Sequence, residues 1–259
     1  MNEQTIAFEG SDIRLLSDGS GDPLLYVHGS GDAGAWIPAQ GELARGYAVY
    51  RPDIPGYNGS PAREDAATVP AIAALLWRLV DELGLGTLRI VGSSLGGWIS
   101  AQMAVTQPGR VSHLVLMDAV GLPVPGGNRV DQFTMSPAEV MQAIYHLPAL
   151  REQVSAATAE RLKDPAAAER MRGNGATTAL LGRDPYFHDP ALAGRLPSIT
   201  AKTLVLWGAD DGLVPVEVGR LYADAIPGAR LEIIPECGHL PLVERTDEAL
   251  AIITPFLAG

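Results

Sequence analysis

Three stretches of the chain together hold residue types that could break a carbonyl compound. RIVGSSLGGW, residues 89–98, contains Gly-x-Ser-x-Gly as Gly92, Ser94 and Gly96, set between an apolar run and a helical one. A serine on a sharp strand-to-helix turn has strained backbone angles, and small residues two positions before and after it leave room while its hydroxyl projects above the sheet. The helix that follows aims free N–H groups at the same spot, and that of Leu95 is the natural first donor to an oxyanion. A hydroxyl is a weak nucleophile at neutral pH, so it needs a base, and the base needs a third group to orient it. LVLWGADDGLVP offers Asp210 and Asp211 in the loop after one apolar run, and IIPECGHLPLVE offers His239 in the loop after the next. Either aspartate meets the requirement on these grounds.

A fourth stretch, LLYVHGSGDAGAW (residues 24–36), has two readings. Gly29, Gly31 and Gly34 fit G-x-G-x-x-G after an apolar run, and Asp53 follows at about the distance of the ribose acid in a dinucleotide site. The same glycines can instead bare backbone N–H groups for a developing oxyanion. The cofactor reading has His28 directly against the motif, starts after two strands and leaves Ser94 and His239 without a role. The oxyanion reading is therefore preferred, no cofactor is expected, and Asp53 becomes a structural hydrogen-bonding acid.

These residues need elements to bring them together. TIAF and DIRLL on either side of EGS read as a hairpin. LLYVH, YAVYRPD, a helix through AIAALLWRLVDEL, LRIVG, a second helix and HLVLMD then alternate as βα units of a mostly parallel sheet. From Gly121 the rhythm stops: GLPVPGG is followed by short helical pieces in AEVMQAIYHLPAL, TAERLKD and AAAERMRG. It resumes with TLVLWG, a helix after Pro215, RLEII and a closing helix through DEALAIITPFL. The expected organisation is an α/β core, residues 1–120 and 198–259, interrupted by a helical cap, residues 121–197. Loops at the carboxyl ends of neighbouring strands converge on one edge of such a sheet, so Ser94, an aspartate and His239 can meet there.

Composition narrows the partners. The 259 residues are 47% hydrophobic and 19% charged, with a formal net charge of −11, which speaks against a phosphate-backbone footprint; no nucleic acid partner is expected. No stretch approaches the roughly 18 apolar residues of a membrane span. MNEQTIAFEG lacks the basic start and apolar core of a signal peptide, so a cytoplasmic location is expected. Cys237 is the only cysteine, and the five histidines show no ligand spacing, so no metal site is expected. Cys237 reads as a packing residue, and His113, His146 and His188 have no visible partner. His28 reads as holding its own loop. Trp36 and Trp98 are candidates for pocket walls or for core. Arg172, Asn174 and Arg183 are candidates for a carboxylate-binding patch or for solvated helix ends.

With DIPGYNGS at Asp53 to Ser60, the motifs stand in an order that resembles the α/β-hydrolase superfamily, in its cap-bearing branch of serine esterases and carbon–carbon-bond hydrolases. The resemblance runs over nearly the whole chain. It implies an eight-stranded, mostly parallel sheet flanked by helices. It also implies that Ser30, after the His28-Gly29 pair, supplies the second oxyanion N–H, with Gly31 in reserve. The family sets its acid four residues before the loop proline, so Pro215 selects Asp211 and leaves Asp210 as a solvated or turn-capping acid.

The implied activity is cofactor-independent cleavage of a small-molecule carboxylic ester, of a small or medium acyl group, through an acyl-enzyme on Ser94. The first alternative is hydrolytic carbon–carbon cleavage of a diketone-type ring-opening product. Asn58 in DIPGYNGS resembles that branch, but HGSGDAGAWIPAQ lacks its proline–glycine–alanine and tryptophan–x–asparagine elements. A ligand receptor or scaffold on the same fold is the other alternative, against which an intact serine, histidine and acid argue. Serine at the elbow, in place of aspartate, speaks against dehalogenase and epoxide hydrolase chemistry.

Overall fold

The computed structural model describes residues 1–127 and 130–259. Its strands are β1 (Asn2–Phe8), β2 (Ser11–Asp18), β3 (Pro23–Val27), β4 (Ala48–Pro52), β5 (Leu88–Ser93), β6 (Val111–Met117), β7 (Lys202–Gly208) and β8 (Arg230–Ile234). They form one eight-stranded sheet in the order β1-β2-β4-β3-β5-β6-β7-β8. β1 and β2 pair antiparallel, as do β2 and β4, and every other neighbouring pair is parallel. The hairpin expected from TIAF and DIRLL thus forms the antiparallel edge, turning at Glu9 and Gly10, both at positive φ.

The helices are α1 (Pro38–Leu43), α2 (Val69–Glu82), α3 (Leu95–Thr106), α4 (Pro137–Ile144), α5 (Pro148–Arg161), α6 (Pro165–Gly182), α7 (Val216–Ala225), α8 (Pro241–Glu244) and α9 (Thr246–Ala258). Because successive strand side chains point to opposite faces, each apolar run feeds two cores. Leu25, Val27, Ile90, Leu114, Leu116, Val205 and Trp207 pack with residues of α2, α3 and α7. Their neighbours Leu24, Tyr26, Val91, Val115, Met117, Leu204 and Leu206 pack with residues of α1 and α9 on the other face. Each such side chain contributes about 1.5–3 kcal/mol when fully buried. Both faces are covered, which is why these strands read as unbroken apolar runs.

From β3 the chain crosses to β4 on one side, and from β5 it crosses to β6 on the other. A crevice opens outside the carboxyl ends of strands where the order reverses in this way. The loops after β3 and β5 start there, and they carry His28 to Ser30 and Ser94.

Between β6 and β7 the described residues form α4, α5 and α6, with one isolated bridge between Gly121 and His188. The helices differ in extent from the pieces read off the sequence. AEVMQAIYHLPAL is broken at Tyr145, and Pro148 opens α5, since a proline at a first helical position loses no hydrogen bond. α6 runs for 18 residues through Gly173 and Gly175. Glycine weakens a helix interior by about 1 kcal/mol relative to alanine, so tertiary bonds have to hold this one. No helix among the described residues is long and apolar enough to cross a membrane.

Candidate active site

Ser94 stands between β5 and α3 with φ 54° and ψ −118°, a left-handed conformation that a side chain adopts only under constraint. The glycines around it have a steric reason. A Cβ on Gly92 would strike Ser100 and the Gly96 carbonyl, and one on Gly96 would strike the carbonyls of Val27 and His28. α3 starts directly at Leu95, whose N–H is one of the first four that a helix leaves without an internal partner. Ser94 is 7% exposed. Its N–H donates to Met117 O at 2.9 Å, which fixes the elbow to the end of β6.

The loop after β3 is built around His28. His28 Nε2 accepts the Ile54 N–H at 2.9 Å, so the ring proton sits on Nδ1, which donates to Gly29 O at 2.9 Å. Burial holds this imidazole below its ordinary pKa, with Arg51 acting in the same direction and the carboxylates of Asp32 and Asp53 opposing. Ser30 follows, half-buried. Gly29 borders the nucleophile: a Cβ there would lie 3.1 Å from Ser94 Cβ. The glycines do not open a helix, as a dinucleotide fingerprint requires; α1 begins only at Pro38. Asp53 is committed elsewhere, accepting from Arg51 at 2.6 Å and from Arg14 at 2.9 Å. Burial opposes its charge, but the Arg51 and Arg14 guanidiniums outweigh burial and hold its carboxyl below the usual range. Arg51, itself fully buried, also pairs with Asp32 in the glycine loop.

On the same edge of the sheet, the loop after β7 carries Asp211 and the loop after β8 carries His239. His239 Nδ1 lies 2.7 Å from Asp211 Oδ2. The other oxygen, Asp211 Oδ1, accepts the N–H groups of Leu213 at 2.8 Å and Val214 at 2.9 Å. Three donors fix the plane of this carboxylate. Asp210 faces a different histidine, with His146 Nδ1 3.0 Å from its Oδ2. The structure thus brings Asp211 to His239 and sends Asp210 to the segment between α4 and α5. Among the described residues, the side-chain hydrogen bond of His239 goes to Asp211 and none reaches Ser94 Oγ.

Comparisons with known proteins give the chain's family. A family model described as "Alpha/beta hydrolase family" matches residues 24–252. The chain belongs to that family. A 2-hydroxy-6-oxo-6-phenylhexa-2,4-dienoate hydrolase of Burkholderia cepacia is 30% identical over 95% of this chain and 91% of its own. The acetyltransferase component of an acetoin cleaving system from Cupriavidus necator is 27% identical, over 97% of this chain and 68% of its own. Among solved structures, a membrane phospholipase A described as a bacterial virulence factor superposes with a TM-score of 0.82 at 26% identity. That match covers 100% of this chain and 86% of the phospholipase.

In this alpha/beta hydrolase, sequence reasoning passed over two buried acids beside the histidine. Glu244 sits in α8, and its carboxylate accepts the Gly238 N–H and the Leu147 N–H, both at 2.5 Å. It stands in the quoted GHLPLVE, but a glutamate there reads as an ordinary first-turn acid. Asp118 follows β6, fully buried, and accepts the Gly208 N–H at 2.9 Å. Asp118, Asp211 and His239 bring possible ligand atoms within 4.8 Å of one another, a grouping invisible in sequence because three separate loops supply it. Two of the three are already bonded to each other.

The helices between β6 and β7 reach the same edge. Asn174 Oδ1 accepts the Asn58 N–H at 2.9 Å, and Tyr57 and Thr178 share a hydroxyl bond of 2.9 Å. Thr177 donates to Gly56 O at 3.0 Å, and Arg161 to Ala33 O at 2.8 Å. The Ile144 carbonyl accepts the His239 N–H at 2.6 Å, and the Ala143 carbonyl accepts the Gly212 N–H at 3.0 Å. Asn174 is therefore engaged with the core, and Arg183 lies over the Phe133 ring at 4.9 Å. Trp98, a residue of α3, packs in the core, while Trp36 is half-buried against the α1 face. Cys237 is fully buried, and burial pushes its thiol well above the ordinary range, as a packing residue requires.

Proposed function

We propose that this alpha/beta hydrolase cleaves a carboxylic ester of a small or medium acyl group through an acyl-enzyme on Ser94. The observation that carries the proposal is His239 held at Nδ1 by Asp211, on the sheet edge where Ser94 stands at its strained elbow. His239 Nε2 takes the Ser94 hydroxyl proton as the oxygen attacks the ester carbonyl. The tetrahedral oxyanion is met by the N–H groups of Ser30 and Leu95. Collapse expels the alcohol, which receives the proton from His239, and a water activated by the same imidazole releases the acid. Asp211 keeps the ring in the tautomer that leaves Nε2 free to accept, and stabilises the cation that forms. Residues 121–197 act as a cap that limits acyl size and keeps bulk water out.

The second reading is carbon–carbon cleavage, favoured by the Burkholderia cepacia relative, whose named substrate is a dienoate bearing a 6-oxo group. That substrate is an anion and needs a cation to receive its carboxylate. The arginines bonded around the candidate site are already committed. Arg51 pairs with Asp32 and Asp53, Arg161 binds Ala33 O, and Arg151 binds the carbonyls of Tyr145 and His146. A neutral ester needs no such cation.

The test is turnover of p-nitrophenyl esters of increasing acyl length beside a vinylogous diketone carboxylate. The ester reading expects the highest kcat/KM on a short or medium ester. Cleavage of the diketone with esters left untouched overturns it.

A further inference from the structure

Asp118 is a buried acid at this edge for which the proposed reaction finds no use, and its placement is costly. It follows β6 with φ 45°, in the left-handed region, although it is not glycine. Its N–H donates to Leu206 O at 3.1 Å and its Oδ1 accepts the Gly208 N–H at 2.9 Å, so the carboxyl is anchored across the ends of β6 and β7. Asp118 Oδ2 is buried with no hydrogen-bond partner. The groups that face it are Asp211 from the loop after β7, Cys237 and His239 from the loop after β8, and Glu244 from α8. Among the described residues no lysine or arginine forms an ion pair with it.

Two carboxylates this close in a dry site cannot both ionise, and the proton goes to the one with fewer donors. Asp211 receives three N–H groups and Asp118 one. Burial and then the charge of Asp211 push the Asp118 carboxyl well above the usual carboxylate range.

We propose that Asp118 is a positioning residue: it remains a neutral carboxylic acid and donates its O–H to the Asp211 carboxylate, holding that group in the plane that meets His239. The inference rests on Asp211 being the acid that orients His239. A protonated aspartic acid kept as a donor at neutral pH has precedent in apolar enzyme sites. Here the donor supports the triad's acid and touches no reacting atom.

The test uses Asp118→Asn, Asp118→Ala and Asp211→Asn. Each is assayed on an ester across pH 5 to 9, and the infrared C=O stretch of a buried, protonated carboxyl is recorded without substrate. An amide reproduces a neutral donor. Asp118→Asn therefore keeps kcat/KM within about threefold and leaves the acid limb of its pH profile in place, while Asp118→Ala lowers kcat about ten- to a hundredfold with KM within about twofold. The infrared band is present in the wild type at neutral pH and absent from both Asp118 variants. No such band in the wild type overturns the proposal, and so does an acid limb that moves down in Asp118→Asn, because that marks removal of a negative charge. Wild-type kcat in Asp118→Ala overturns it as well. An unimpaired Asp211→Asn with the band intact removes the role of Asp211 itself and with it the positioning function. A missing band in an enzyme that Asp211→Asn disables removes the Asp118 assignment alone.

Discussion

Asp210 and Asp211 are neighbours in the chain and face different histidines: Asp211 Oδ2 lies 2.7 Å from His239 Nδ1, and Asp210 Oδ2 lies 3.0 Å from His146 Nδ1. The Asp211 side chain is fully buried and that of Asp210 is half exposed. Asp211→Asn is expected to keep the fold and lower kcat by several orders of magnitude, because an amide stabilises the wrong imidazole tautomer; about 10⁴-fold is the scale of such a change in a serine protease. Asp210→Asn loses a surface pair worth at most about 1 kcal/mol and should cost less than about tenfold. Kinetics of both variants at pH 8, with circular dichroism to confirm folding, check the order.

His28 sets the acid limit of the loop that carries Ser30. Its imidazole is held neutral by burial, whereas in the unfolded chain it takes up a proton below about 6.5. The unfolded state then binds more protons, so the stability this residue contributes is fully present above that pH and is lost as the pH falls below it. The wild type should therefore lose more stability than His28→Gln between pH 7 and pH 5. Urea midpoints of the two proteins across that range test it, and equal losses contradict it.

Asp118 works in the opposite sense. Its folded pKa is raised, so above its ordinary value of 3.8 the unfolded chain gives up a proton that the native state keeps. Stability falls as pH rises through that window, by up to about 1.4 kcal/mol per pH unit for one proton. Asp118→Asn has no such proton, so its Tm should gain on that of the wild type as the pH rises from 4 to 7. A difference that does not change with pH contradicts the assignment.

Sequence patterns reached some parts of this site and stopped short of others for a physical reason. Unbroken apolar runs such as LVLW lay out the strands because both sheet faces are covered, and Gly92 and Gly96 mark the elbow because Cβ atoms there would strike backbone. What patterns miss is made by bonds between distant loops. Asp118 ends the apolar run HLVLMD and looks like any acid at the end of a strand. Only the adjacency of β6 and β7 brings it to Asp211. The pairing of Asp210 with His146, the salt bridges of Arg51 and the two N–H groups on Glu244 arise in the same way. α6 continues through two glycines because Asn174, Thr177 and Thr178 are bonded to the core loop at Gly56 to Asn58, which helix propensity does not register.

Nucleophilic attack by Ser94 is tested most directly by trapping the covalent intermediate. The wild type is mixed with a p-nitrophenyl ester, quenched in acid during turnover, digested and sequenced by mass spectrometry, with Ser94→Ala alongside and a fluorophosphonate probe as the irreversible counterpart. Acyl and phosphonyl groups are expected on Ser94, one per chain, with neither formed by the folded Ser94→Ala protein, whose turnover is nearly abolished. Label on another residue, or undiminished turnover in Ser94→Ala, contradicts the account.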